Sequence, residues 1–118
     1  MKKTVLAAAN CKEQKYYIAK EFEVLPNEIK DEIKIVCVLT AQKLFCTFVI
    51  GFLEEGDIYF DVVREESELD FDDIGAELEI KEIRRKKKEL LNALKLWYVV
   101  FQTKEGKKVA EKLIKEEK

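Results

Sequence analysis

Apolar positions recur along this chain with two different periods, and the changes between them outline its elements. From Pro26 to Leu44, the residues Ile29, Ile33, Val36 (or Cys37), Thr40 and Leu44 fall at steps of three and four, the spacing of one helix face. Pro26 stands where a first helical position belongs, and Glu28, Asp31 and Glu32 put negative charge at the positive end of the helix dipole. A helix over 26–44 is therefore predicted, although the β-branched stretch around Ile33–Val38 weakens its end. Residues 46–53 and 57–63 are rich in aromatic and β-branched residues and flank Glu54-Glu55-Gly56. They read as a hairpin over 46–63. Its first strand is apolar on both faces, which places it centrally or covers it on both sides. Residues 4–9 and 16–24 read as N-terminal strands or irregular chain. From 79 to 102, Ile80, Ile83, Lys87, Leu90, Leu94, Trp97 and Phe101 alternate steps of three and four, broken only by Lys87. One helix of roughly 36 Å follows, at about 1.5 Å rise per residue. Its second half adds Leu91, Leu96, Tyr98, Val99 and Val100, so it is apolar nearly all round and predicted to be buried. Trp97–Phe101 also suits a strand. A turn of helix is placed around Phe71 and Ile74, and a short C-terminal helix over Lys107–Lys118. The fold class is α+β: an antiparallel sheet, hairpin plus N-terminal strands, packed by the helices at 26–44 and 79–102.

The chain has 118 residues, one domain's worth, so 1–118 is read as a single domain. No linker, internal repeat or low-complexity segment divides it. Residues Met1 to Ala9 have a basic start and a short apolar stretch, but Asn10-Cys11-Lys12 follows where a small-residue cleavage site belongs. That segment is expected to be a strand, and the protein cytoplasmic. With 18 Glu and 19 Lys against 6 Asn plus Gln, the composition follows the trend of heat-adapted proteins.

Composition removes more chemistry than it offers. There is no histidine, hence no Ser-His or Cys-His pair, no imidazole base and no His-containing zinc site. One serine and glycines only at 51, 56, 75 and 106 supply neither a hydroxyl nucleophile in a helpful setting nor a phosphate-binding loop. Cys37 and Cys46 sit in apolar runs and read as buried small hydrophobes, whereas Cys11 has polar neighbours. The acidic segment fails as a calcium loop: starting at Asp70, Ile74 takes the fifth position and Lys81 the twelfth, which requires a bidentate glutamate. No catalytic, metal or cofactor site is expected.

Charge is segregated. Residues 54–79 carry 12 acidic groups and one basic, net −11, while residues 80–118 carry 13 basic and 6 acidic, net +7. Lys81, Arg84, Arg85 and Lys88 lie at i, i+3, i+4 and i+7, a stripe along one helix face. Such a stripe suits nucleic acid, but the whole chain carries net charge −2 and lacks an aromatic reading surface. The stripe is therefore read as an association surface, with the chain itself as partner in a homodimer. The other account is a solvated face carrying pairs such as Glu82 with Lys86.

The segment Ala8-Ala9-Asn10-Cys11-Lys12-Glu13-Gln14-Lys15-Tyr16-Tyr17, with Leu25-Pro26, Lys34–Leu39 and Ile80-Lys81-Glu82-Ile83, resembles a family of short uncharacterised bacterial proteins of Gram-positive anaerobes. The resemblance spans about residues 5–101 and implies no activity. Asn10, Gln14, Tyr16 and Tyr17 form the polar and aromatic cluster that neither helix nor strand periodicity explains. They are a candidate ligand or partner patch, against the plainer account of half-buried tyrosines and a turn asparagine. The leading functional reading is a small non-enzymatic interaction or regulatory protein. The alternatives are a small-molecule binder or enzyme using that cluster, and a nucleic-acid binder using the basic stripe.

Overall fold

In the computed structural model residues 3–64 and 73–102 are described. The order is β1 (Lys3–Asn10), β2 (Lys15–Ile18), a 3-10 turn (Lys20–Phe22), α1 (Asn27–Leu44), β3 (Thr47–Leu53), β4 (Ile58–Val63), α2 (Asp73–Lys86) and α3 (Lys88–Gln102). All four strands pair antiparallel in the order β2-β1-β3-β4. The expected α+β class, the hairpin within 46–63 and the first helix are all present. Pro26 caps α1 instead of starting it, its carbonyl accepting the Lys30 N–H at 3.0 Å.

Register decides which side chains meet. Ala9, Phe48 and Val62 are cross-strand partners, as are Ala7, Ile50 and Phe60. These residues, with Phe52 and Ile58, share one face because strand side chains alternate. That face carries the core. Leu6, Phe22, Ile33, Cys37, Phe48, Ile50, Phe52 and Leu94 are fully buried, each worth about 1.5–3 kcal/mol for the larger apolar groups relative to exposure. α1 turns Ile33, Val36, Cys37 and Ala41 to the core. From α3, Tyr98 stacks on Phe52 with centroids 4.5 Å apart and Trp97 meets Phe22 at 5.6 Å. A β-bulge between Val5 and Ala7 shifts β1 against β3 and turns Leu6 fully into the core, as an extra residue in one strand allows.

Three expectations need correction. The helix over 79–102 is two helices, α2 and α3, interrupted at Lys87, and α2 begins earlier, at Asp73. The i→i−4 ladder nonetheless runs on through Lys87, whose N–H donates to the Ile83 carbonyl at 2.8 Å and whose carbonyl accepts the Leu91 N–H at 2.9 Å. Ile83 and Leu90, seven residues apart on one face, both reach the core, while Lys87 pairs with Glu32 of α1 at 3.2 Å. The second half of that segment is helical, yet it is not buried all round: Leu96 is 65% exposed and Val99 37%. The strand over 16–24 stops at Ile18 and gives way to the 3-10 turn, which drives Phe22 into the core. Of the helical turn placed around Phe71 and Ile74, Ile74 falls in α2, while Phe71 and the helix over 107–118 lie outside the described residues. Among the described residues no helix is long and apolar enough to cross a membrane.

Candidate functional site

The turn between β1 and β2 is built around Asn10. Its Oδ1 accepts the Glu13 N–H at 2.7 Å and its Nδ2 donates to Thr47 Oγ1 at 2.6 Å. Gln14 closes the turn at φ 52°, a left-handed conformation costing a side-chain-bearing residue roughly 1–2 kcal/mol. Tyr16 and Tyr17 then follow one another in β2, so they point to opposite faces. The predicted patch is therefore split. Asn10, Gln14 and Tyr16 gather at one cleft, and Tyr17 stands on the other side of the sheet, 58% exposed.

The cleft, about 510 Å³, lies between that turn and α1, whose Lys34, Val38, Ala41 and Gln42 form its far wall. Ala9, Cys11 and Lys15 complete the lining with the three patch residues, and no carboxylate among the described residues takes part. The Tyr16 hydroxyl is buried and has no hydrogen-bond partner among the described residues. Burial, and secondarily the neighbouring Cys37 thiol, push its pKa up to about 12. Cys37 itself is pushed up to about 12 by burial. Lys34 Nζ sits 5.9 Å from the Tyr16 ring centroid. Sequence reasoning missed Lys34, because a lysine in an amphipathic helix gives no sign that it overhangs a tyrosine from a distant strand.

All three helices pack on the Phe48–Phe52 face, which leaves the other face of the sheet uncovered by the described residues. Tyr17, Ala8, Val49 and Asp61 make one row across it, and Lys15, Asn10, Thr47 and Val63 the next. Val5 is 41% and Val63 53% exposed. At the centre the Tyr59 ring lies flat over Gly51, where a Cβ would come within 2.5 Å of both the ring and the Thr4 carbonyl oxygen. Lys3 Nζ caps that ring at 5.0 Å. Burial and the Asp61 carboxylate raise the Tyr59 pKa. Phe45, which ends α1 at φ 51° and ψ 60° with its side chain exposed, borders this face beside Asn10, Thr47 and Val63. No residue-type signal in the sequence singled out Phe45, because its strain arises only where α1 must turn sharply into β3.

Of the basic stripe, Arg84 and Lys88 line one hollow with Asp57, Leu91 and Lys95. Arg84 Nη2 donates to the Ile58 carbonyl at 3.1 Å, and its guanidinium covers the Phe60 ring at 4.9 Å, which docks α2 against β4. Arg85 pairs with Glu82 one turn earlier, and that hydrogen bond holds the Glu82 carboxyl below its ordinary range. Lys81 lies beside Ile74 and Leu78 on the outer side of α2, and Lys88 lies beyond the interruption, in α3. Part of the acidic region is matched within the chain too: Asp57 with Lys95 at 2.6 Å, and Glu79 with Lys43 at 2.8 Å. Among the described residues no three His, Cys, Asp or Glu side chains gather in a way that suits a metal ion.

A model of a family of unknown function (DUF6145) matches residues 3–106. No curated protein and no solved structure matches the chain.

Proposed function

The chain belongs to that family of unknown function, and we propose that it is a non-enzymatic interaction protein whose partner is a second copy of itself, held through the open sheet face. The observation behind this is the apolar side chain left on that face: Tyr17, Val5 and Val63, with Phe45 at its border. A strained residue normally exposes something small, and here a phenylalanine is held in left-handed backbone and 57% exposed. The charges suit self-pairing. Lys15 lies on β2 and Asp61 on β4, at opposite edges of the sheet. A two-fold axis along the strands puts β4 of one copy over β2 of the other, with Asp61 over Tyr17 and Lys15 in the next row, as a self-complementary interface requires.

Size sets the strength. Four strands about 4.8 Å apart and about 24 Å long offer a footprint of roughly 450 Å². A standard interface covers about 800 Å² on each partner, so the dimer is reversible. The same reading takes the source to be a Gram-positive anaerobe adapted to heat and the location to be the cytoplasm; composition and the resemblance above support these finer points. Sedimentation velocity over a concentration series tests the association. The wild type is expected to shift from monomer to dimer as concentration rises, and Tyr17→Lys to stay monomeric with unchanged circular dichroism. A monomer at every concentration, or a dimer indifferent to Tyr17→Lys, would overturn the proposal.

A further inference from the structure

The cleft lies at the β1–β2 turn, against α1, and its chemistry differs from that of the association face. Among the described residues Lys15 and Lys34 line it and no acidic residue does, in a chain of net charge −2. Lys34 makes no ion pair among the described residues; its ammonium rests over the Tyr16 ring. Lys15 has only a loose partner, Glu13 at 3.9 Å, with both side chains largely exposed. Gln14 and Gln42 add amide donors, while Ala9, Val38 and Ala41 give apolar walls. A volume of about 510 Å³ falls within the range of small-molecule sites, which pair apolar walls with a few convergent polar groups.

The Tyr16 hydroxyl is the second observation. A buried hydroxyl without a partner destabilises the fold that contains it, and buried polar groups are rarely left so. The Tyr16 ring lies under the Lys34 ammonium, 5.9 Å from the centroid, and Lys34 makes no ion pair among the described residues. We propose that the cleft binds a small organic oxyanion, a carboxylate or phosphate head group on a short apolar body. Lys34 leaves the ring face to meet the charge, and the uncovered Tyr16 hydroxyl donates the second bond. A phenol donating to an oxyanion makes a charge-assisted hydrogen bond, the stronger kind. The lysines supply attraction that salt screens.

Titrating the full chain with inorganic phosphate and, separately, with benzoate, while following backbone amide NMR shifts, tests this. Saturable shifts confined to residues 9–16 and 34–42 are expected. Saturation by benzoate alone assigns the head group as carboxylate, and saturation by phosphate alone as phosphate. Tyr16→Phe should weaken binding by about 10- to 100-fold while its melting temperature stays equal to or above that of the wild type, which separates lost binding from lost folding. Lys34→Gln should weaken binding and flatten its dependence on salt. If neither probe saturates by about 10 mM, if both variants bind as the wild type does, or if the shifts scatter over lysines elsewhere, the proposal fails.

Discussion

Replacing Gly51 by alanine tests whether the open face is built as described. The added Cβ would come within 2.5 Å of the Thr4 carbonyl oxygen and within 2.5–2.6 Å of two Tyr59 ring carbons. Ordinary contact needs more than 3 Å, so either β1 moves away from β3 at its bulge or the ring leaves the sheet. A ring is free to swing, and a paired backbone carbonyl is not. Tyr59 is only 9% exposed, and a buried aromatic covers about 150–250 Å². Exposing half of that loses about 2–3 kcal/mol at roughly 25 cal/mol per Å². Strain against Thr4 adds about 1 kcal/mol, the low end of overpacking costs, for a total near 3–4 kcal/mol. With an unfolding entropy of about 2.1 cal/mol/K per residue, that lowers the Tm by roughly 12–16 °C. Urea unfolding followed by circular dichroism should show a lower midpoint at unchanged slope. In the background of Tyr59→Ala the same glycine substitution should cost only the Thr4 share, about 1 kcal/mol, because neighbouring residues couple. A loss below about 1 kcal/mol for Gly51→Ala alone, or full additivity in the double variant, would refute the argument.

Thiol labelling under native conditions should modify Cys11 first, since Cys37 and Cys46 are buried and burial suppresses the Cys37 thiolate; fast labelling at Cys37 would contradict the core. Tyr16 and Cys37 also set an alkaline limit. Both pKa values rise to about 12 in the fold, from ordinary values of 10.0 and 9.0, so the unfolded chain releases these protons first. Stability from these two groups is therefore fully present below about pH 9 and lost as pH climbs through 12. Urea midpoints measured across that window should fall less steeply in Tyr16→Phe than in the wild type, and identical slopes would remove Tyr16 from the account.

What could be read without coordinates was whatever local spacing determines. The hairpin within 46–63 and the face of α1 were legible because both periods are sustained over several residues. Lys87 is visible as the one polar residue in an apolar seam, but its pairing with Glu32, more than fifty positions away, is not. Leu96 and Val99 read as buried in the sequence, but apolarity all round a helix says nothing about how much partner surface is available. The cluster Asn10, Gln14, Tyr16 and Tyr17 was found by what periodicity failed to explain. Its splitting was implicit in strand geometry once β2 was recognised, as neighbours in a strand cannot share a face. Segregated charge, by contrast, pointed to association, while Asp57–Lys95 and Arg84 on Ile58 and Phe60 join acidic and basic regions within one molecule.

The strand order carries a kinetic consequence. β1–β2 and β3–β4 are each joined by a short turn and can close locally, within microseconds for isolated hairpins. The seam that makes them one sheet, β1 with β3, joins residues such as Ala7 and Ile50 across the whole of α1. Loop closure over that distance must precede the contacts that reward it. The rate-limiting step is thus expected to be docking of two preformed hairpins along the β1–β3 seam with α1 in place. Truncating Ile50 to valine should then slow refolding, whereas truncating Leu94 in α3 should chiefly hasten unfolding.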